Sequence, residues 1–546
     1  MKNATLIKSI LQMIILYLFV ESMKVKKSYK NFILMENEMK NNFLDNFFLE
    51  IFNLNEVKPD DDFFVLGGSS LLLPQLIHNI WVNTGVHLEA KDIFATRSIK
   101  EISSLIEEKI RNKESAYLTL NPSINLNADI KYVNMSYPQR HIWLSEKLSS
   151  LEDSYNVGFT FTIKGDVEID RLKESITQVI MEEENYNLIF LMKSGELVCE
   201  TKAFTPEIII YENVKEVELE EHLHTSVKTK KFSLDEGPLF EIEIHKLVDV
   251  EDTIKIFFLF HHIIIDQYSV PLLWNAIFET YSSQNRYQKP SSFKECILNS
   301  SEALLSGAFD QQKEYWRSQF MNQDIEKLNK LQEKKKNSGY SRIKRVRNKK
   351  GPNLLNENFD NNTAFLTIYL ESMSSHFFKE NRKEEFIVGI PYANRHGINS
   401  ANCQGFFVNI IPFKVEFPFN LNSDSFHYIR QKNEVTFENQ NYPFEFILNE
   451  IDFKTASQRQ NFIDNVFVYE KQIELKKDGR KFKEVSYEEL NYATPMFPLT
   501  FYLVENEEQY TIHFDFDTSF ITHEDATAFL SVFENNIDKV EEGKGL

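Results

Sequence analysis

Cysteine is scarce in this chain of 546 residues, which holds three: Cys199, Cys296 and Cys403. None stands in a CxxC pair, which argues against a zinc cluster or a disulfide framework and fits a reducing compartment. Basic charge is also in deficit, with 61 Lys and Arg against 81 Asp and Glu and a formal net charge of -20. General nucleic-acid binding needs basic surface to displace counterions, so that class is excluded, and an anionic membrane would repel the protein. Long apolar runs are missing except at 6–20 (LIKSILQMIILYLFV), which contains Lys8 and Gln12. That run falls short of the roughly 20 residues that span a bilayer, and no small-residue cleavage site follows it. It reads as an extra helix, or as sequence ahead of a start at Met23 or Met35. A cytoplasmic protein without membrane association is expected.

The length exceeds one ordinary core and predicts two or more domains. Residues 35–112 have the pattern of short amphipathic helices: Phe43, Phe47, Ile51 and Leu54 fall at helical spacing, and 99–110 (IKEISSLIEEKI) repeats it. Between them an Asp-rich loop leads into a helix from Ser69 or Ser70 to Gly85, with Pro74 in its first turn. This is a small four-helix bundle. A polar linker follows at 113–127. From 128 to 546 strands alternate with helices, the signature of an α/β or α+β domain, with lobes expected at about 128–305 and 306–546. Thr253–His261 (TIKIFFLFH) reads as a buried strand, 270–281 as a helix, and 386–390, 406–413 and 510–516 as further strands. Residues 334–350 (KKKNSGYSRIKRVRNKK) read as a solvated basic loop, or as a docking surface for an acidic carrier.

Two stretches carry chemistry. In Asp62–Leu71 (DFFVLGGSSL), Gly67 and Gly68 make a tight turn before a helix, and Ser70 sits where unpaired N–H groups and the helix dipole accommodate a phosphate. On local chemistry alone a plain loop and helix cap is the simpler reading. The run FFVLGGSSLLL, however, resembles the phosphopantetheine attachment motif of peptidyl carrier domains, LGG[D/H]S. Leu66, Gly67, Gly68 and Ser70 match, and Ser69 departs. The resemblance implies 4'-phosphopantetheine on Ser70, placed there by a phosphopantetheinyl transferase.

The second stretch, His261-His262-Ile263-Ile264-Ile265-Asp266-Gln267, ends the buried strand with an acid/base group and a carboxylate that can orient it. No third ligand of suitable spacing stands nearby, so no metal is expected. Spacing alone would allow two core histidines satisfied by backbone. HHIIIDQ nevertheless resembles the HHxxxDG motif of nonribosomal peptide synthetase condensation domains. Ser136–Trp143 (SYPQRHIW) resembles the opening SxAQxRLW motif, Tyr315-Trp316 a YW pair, Gly389–Arg395 (GIPYANR) GxPVANR, and Gly405–Asn409 (GFFVN) GxFVNT.

The resemblance implies two chloramphenicol-acetyltransferase-like lobes in a V, with His262 at the reaction centre, His261 beside it and Asp266 holding the loop. Gln267, Ser269 and Asn409 would then line a substrate tunnel. Gln267 stands where the motif has Gly. Glu182 and Asn187 stand where a first-lobe RHExLRTxF motif has arginines, so Asp266 must pair elsewhere, with Arg395 or Arg140, or stay solvated. The expected reaction is transfer of an acyl or aminoacyl group from Ser70 to an amine or alcohol. The acceptor would be a small molecule or carrier-bound. No phosphate loop of an adenylation domain and no thioesterase GxSxG is found, so loading by an adenylation enzyme or carrier in trans is expected. A noncatalytic scaffold, an epimerisation-type domain and an acyltransferase using coenzyme A are the competing readings.

Overall fold

The computed structural model describes residues 42–52, 54–66, 76–77, 79–80, 84, 86, 88, 90–111, 132–148, 155–193, 196–283, 286–305, 307–321, 339–350, 354, 360–377, 385–395, 400–416, 422–454, 458–459, 462–479, 481–490 and 496–542. Gly67, Gly68, Ser69 and Ser70 lie outside them, as do the apolar run, the linker at 113–127 and most of the helix expected from 69 to 85. Three helices of the first block are described: α1 (Asn42–Ile51), α2 (Ala90–Thr96) and α3 (Ile99–Arg111). Their apolar faces bury Leu44, Phe48, Ile93, Ile102 and Ile106. Phe63 and Phe64 plug the same core. Asp62 shapes the turn beneath them, its carboxylate accepting from the amides of Phe64 (2.8 Å) and Val65 (3.1 Å).

The larger block runs β1 (Tyr132–Asn134), α4 (Tyr137–Leu148), β2 (Asn156–Lys164), α5 (Ile169–Glu182), β3 (Leu188–Lys193), β4 (Glu196–Thr201), β5 (Ile208–Val214), α6 (Glu216–Thr229), β6 (Phe240–Leu247), β7 (Thr253–His261), α7 (Ser269–Ser283) and α8 (Phe293–Leu305). It continues through α9 (Asp310–Phe320), β8 (Tyr340–Asn348), α10 (Asn361–Phe377), β9 (Glu385–Tyr392), β10 (Asn409–Glu416), α11 (Ser423–Glu438), α12 (Phe444–Asn449), β11 (Asn465–Lys471), β12 (Glu484–Leu490), β13 (Leu499–Glu505), β14 (Gln509–Asp517) and α13 (His523–Glu541). Two large sheets organise it: β12-β2-β7-β6-β5 in the first lobe and β10-β9-β11-β13-β14-β8 in the second. A small sheet, β1-β4-β3, flanks the first. The division at 305/306 is not a clean cut, because β12 crosses back and pairs antiparallel with β2 along its whole length.

The central strand β7 is buried at all nine positions. Burying each of its phenylalanines contributes roughly 1.5–3 kcal/mol, so the strand is a rigid base for the residues that follow. The strand expected at 406–413 starts later, at Asn409. The backbone of Phe407 serves the site instead, its N–H donating to Asp266 and its carbonyl accepting from Asn394.

The basic stretch is corrected as well. From Tyr340 it is an edge strand, β8, paired with β14. Residues 334–338 lie outside the described residues; of the described cations, Arg342 pairs with Asp515, Arg347 with Asp538 and Glu541, and Lys349 with Glu505. A charged edge strand also blunts pairing with other chains. Among the described residues, no helix is long and apolar enough to cross a membrane.

Candidate functional site

After β7 the chain makes a single 3-10 turn, His262–Ile264, whose isoleucines are fully buried. Buried carbonyls need donors, and each one here has its own. Gln139 Nε2 donates to the Ile263 carbonyl (3.1 Å) and Asn185 Nδ2 to that of Ile264 (3.0 Å). His262 Nδ1 lies 2.7 Å from the carbonyl oxygen of Ile265. A carbonyl only accepts, so Nδ1 carries the proton and Nε2 is left with its lone pair. The ring stands edge-on to Phe406 at 4.9 Å and keeps part of its surface open. Burial lowers its pKa from the ordinary imidazole value, partly offset by the bond to Ile265 and by nearby Asp266.

His261 differs. Its Nδ1 accepts from the amide of Ile263 (3.1 Å) and its Nε2 lies 2.7 Å from a Glu146 carboxylate oxygen. Both nitrogens are occupied and the residue is buried. His261, expected beside His262 at the reaction centre, is placed with both nitrogens engaged by protein groups. Glu146, Gln139 and Asn185 were not singled out as parts of this turn from sequence. Gln139 was at least inside the recognised opening motif, whereas Glu146 lies 115 residues from its partner with no local signal.

Asp266 is sealed from solvent. Its Oδ1 accepts from Arg395 NH2 (2.6 Å), Ser269 N (3.0 Å) and Ser269 Oγ (2.7 Å), and its Oδ2 from Phe407 N (3.0 Å). Arg395 sits between the rings of Tyr268 and Phe407, 4.4 and 4.2 Å from their centroids. It also donates to the carbonyls of Ser400 and Cys403. Asn394 reaches this loop in a left-handed conformation, φ 51°, and Gly405 lies at φ 152°, where a Cβ would strike Phe293. Asp266 is thus structural, and Arg395 is its partner. Arg140 is not, for it donates to the Met135 carbonyl and packs on Tyr137.

The missing arginines leave no gap. Asn187 is buried and caps the end of α5, donating to the carbonyls of Ile180 and Glu183 and accepting from the Phe204 amide. Glu182 pairs with Arg286. The neighbouring Glu183 is buried, and that burial pushes its pKa up to about 7 despite bonds from Tyr287 and Gln404.

A narrow cleft lies between the lobes. Gln267 and Tyr268 form one wall, and Ile390, Val408, Asn433 and Glu470 stand opposite. Gln267 takes its place without a positive φ, and its side-chain oxygen accepts from Tyr487 (3.0 Å) on the crossing strand β12. Ser269 and Asn409, expected in the tunnel, do not line it, and neither does His262, which stands five residues before Gln267. Ser269 is fully buried against Asp266 and Gly405. Asn409 ties down the 440–444 loop through the carbonyls of Gln440 and Tyr442 and the amide of Phe444.

The helical block docks beside this cleft. Arg97 bridges Asp62 (2.6 Å) to Glu434 on α11 (3.3 Å), Phe94 meets Phe437 edge-on at 5.2 Å, and Lys471 Nζ donates to the Leu66 carbonyl (3.3 Å). Glu434 and Lys471 each follow a cleft-lining residue in sequence. Arg97→Glu sets a carboxylate against two others. It is expected to weaken docking by about 1 kcal/mol, roughly fivefold in the docked population. Faster hydrogen exchange in α11 would register this, and unchanged exchange would contradict it.

Comparison with known proteins agrees with this geometry. The condensation domain family matches residues 130–543, and the phosphopantetheine attachment site family matches residues 44–106. The chain belongs to the condensation domain family. It is 24% identical over 500 residues to gramicidin S synthase 2 of Aneurinibacillus migulanus, covering 89% of this chain and 11% of that protein. It is likewise 24% identical over 486 residues to bacitracin synthase 3 of Bacillus licheniformis, covering 86% of this chain and 7% of that one. The chain therefore spans only a small fraction of the curated relatives it matches. In fold it superposes on the starter condensation domain of rhizomide synthetase with a TM-score of 0.61 at 16% identity, covering 75% of this chain and 96% of that chain. It also superposes on the condensation domain of Monacolin K polyketide synthase with a TM-score of 0.62 at 14% identity, covering 76% and 98%.

Proposed function

We propose that this chain transfers an acyl or aminoacyl group from its own carrier block to an amine or alcohol bound in the interlobe cleft, forming an amide or ester. The observation that carries this is the Nδ1 bond of His262 to the Ile265 carbonyl, which leaves Nε2 as a fixed, neutral base. The attachment-site family implies 4'-phosphopantetheine on Ser70. The described neighbours fit that group: the Asp62-capped turn leads to Leu66, whose carbonyl accepts from Lys471, the residue after cleft-lining Glu470. When bound, it supplies a thioester that presents the acyl group on a long arm.

The chain's own residues do the rest. The Asp266–Arg395 pair and the donors of Gln139 and Asn185 hold the turn still, so alignment of the reactants is prepared before they meet. His262 Nε2 accepts the proton of the attacking amine or hydroxyl. Gln267 and Tyr487 shape the cleft wall and select what enters. We further propose that an adenylation enzyme or loaded carrier acting in trans charges the protein, and that it works in the cytoplasm.

The protein should be incubated with coenzyme A and a broad-specificity phosphopantetheinyl transferase, and its intact mass measured. A gain of one phosphopantetheine, absent from Ser70→Ala, is expected. Wild-type protein that gains nothing would remove the donor half of the proposal.

A further inference from the structure

Far along the first sheet from the His262 turn, β6 alternates its faces. Ile242 and Ile244 enter the lobe's core, while Glu243 and His245 point to the opposite side, towards α6. Helix α6 anchors to that side with Leu219, Leu223 and Val227, and one turn of it places His222 over the strand. His222 Nε2 and His245 Nε2 lie 2.9 and 2.8 Å from the same oxygen of Glu243, and the three donor atoms fall within 4.8 Å of one another. Tyr211 of β5 stacks flat on the His245 ring, 4.9 Å away and 4° from parallel, and meets His222 edge-on at 5.9 Å. Both rings are therefore held in place.

We propose that His222, Glu243 and His245 bind a divalent transition-metal ion, Zn2+ by ligand type. Two imidazoles and a carboxylate form a three-ligand zinc set whose fourth position is left for water. Bonds of about 2.0–2.2 Å place tetrahedral donors about 3.3 Å apart, so each His–Glu distance needs to open by about half an ångström, while the two imidazole nitrogens, within 4.8 Å of each other, settle to a similar separation. His222 is exposed while Glu243 and His245 are buried, which gives the ion an entry path and a partly dry seat.

Glu243 supplies the negative charge of the set, and Glu241 on the same face is paired with Lys230. The cross-strand neighbour of His245, Lys255, is already engaged by Glu216 at 3.0 Å. The ion would clip α6 to the sheet, a structural role separate from acyl transfer.

The full chain, stripped with a chelator, should be titrated with Zn2+ by calorimetry and with Co2+ by visible absorption. One equivalent is expected to bind, with a tetrahedral Co2+ spectrum and a thermal midpoint that rises with Zn2+. His222→Ala changes an exposed helix position, and Glu243→Gln keeps the side-chain shape, so both should fold and give unaltered circular dichroism. Each is expected to weaken Zn2+ binding by about 100-fold. Wild-type protein that binds no metal, or undiminished binding in either variant, would overturn the proposal and leave a hydrogen-bonded triad only.

Discussion

In His262→Ala protein the rate of product formation from a loaded carrier is expected to fall by about 10²–10⁴-fold, the usual contribution of a positioned general base. The argument rests on one nitrogen. Because Nδ1 is committed to the Ile265 carbonyl, Nε2 keeps its lone pair for the proton of the attacking group, and alanine removes it with nothing to replace it. Modification of Ser70 and its loading should be unaffected, since the variant lies outside the helical block. Loaded carrier should persist in the variant while wild type consumes it. An unchanged product yield would defeat the role assigned to His262 and make the two-lobed block a scaffold.

The pH profile follows from the same geometry. The working form is the neutral imidazole, and burial lowers the pKa of His262. The acid side of the activity profile should therefore fall at a pH below the midpoint of an ordinary histidine, since the pKa is shifted downward and activity is lost as the ring protonates. His261→Ala serves as a contrast. That side chain is enclosed between Glu146 and the Ile263 amide, so its loss should appear first as a lowered thermal midpoint, through the unpaired Glu146 carboxylate.

Legibility from sequence was uneven, for physical reasons. β7 was readable because seven of its nine residues, all but Lys255 and His261, are β-branched, aromatic or aliphatic and leave no solvent face. The motifs around His262 and Arg395 were readable because each is contiguous in the chain. What sequence could not show is pairing at a distance. Glu146 meets His261 across 115 residues, and Tyr487 meets Gln267 across 220. β12 was invisible as a member of the first sheet because its exposed alternation resembles any edge strand. The basic run misled because a charge pattern looks alike on a loop and on an edge strand, and only the facing acids of β14 and α13 tell them apart. The Glu243-x-His245 pair shows its shared face on a strand, but its third member arrives from a helix 21 residues away.

The Asp266–Arg395 pair sets the second large effect. Both side chains are fully enclosed, so removing the cation strands a carboxylate that water cannot reach. Arg395→Ala is expected to destabilise the two-lobed block by about 3–5 kcal/mol, read as a shift in the urea midpoint. Arg395→Lys should recover little of this. A lysine cannot serve Asp266 and the Ser400 and Cys403 carbonyls together, nor stack between Tyr268 and Phe407. The decisive comparison is Arg395→Ala in an Asp266→Asn background. If the loss comes from the stranded charge, the double variant should be more stable than the sum of the two single losses. Strict additivity would instead assign the loss to the missing stack and carbonyl bonds. In either case the pair links β7 to the 395–407 loop, and so joins the two lobes at the point where the base is aimed. Arg395→Ala should therefore also slow transfer at temperatures where the protein remains folded, because a His262 turn freed from that loop no longer holds Nε2 in one place.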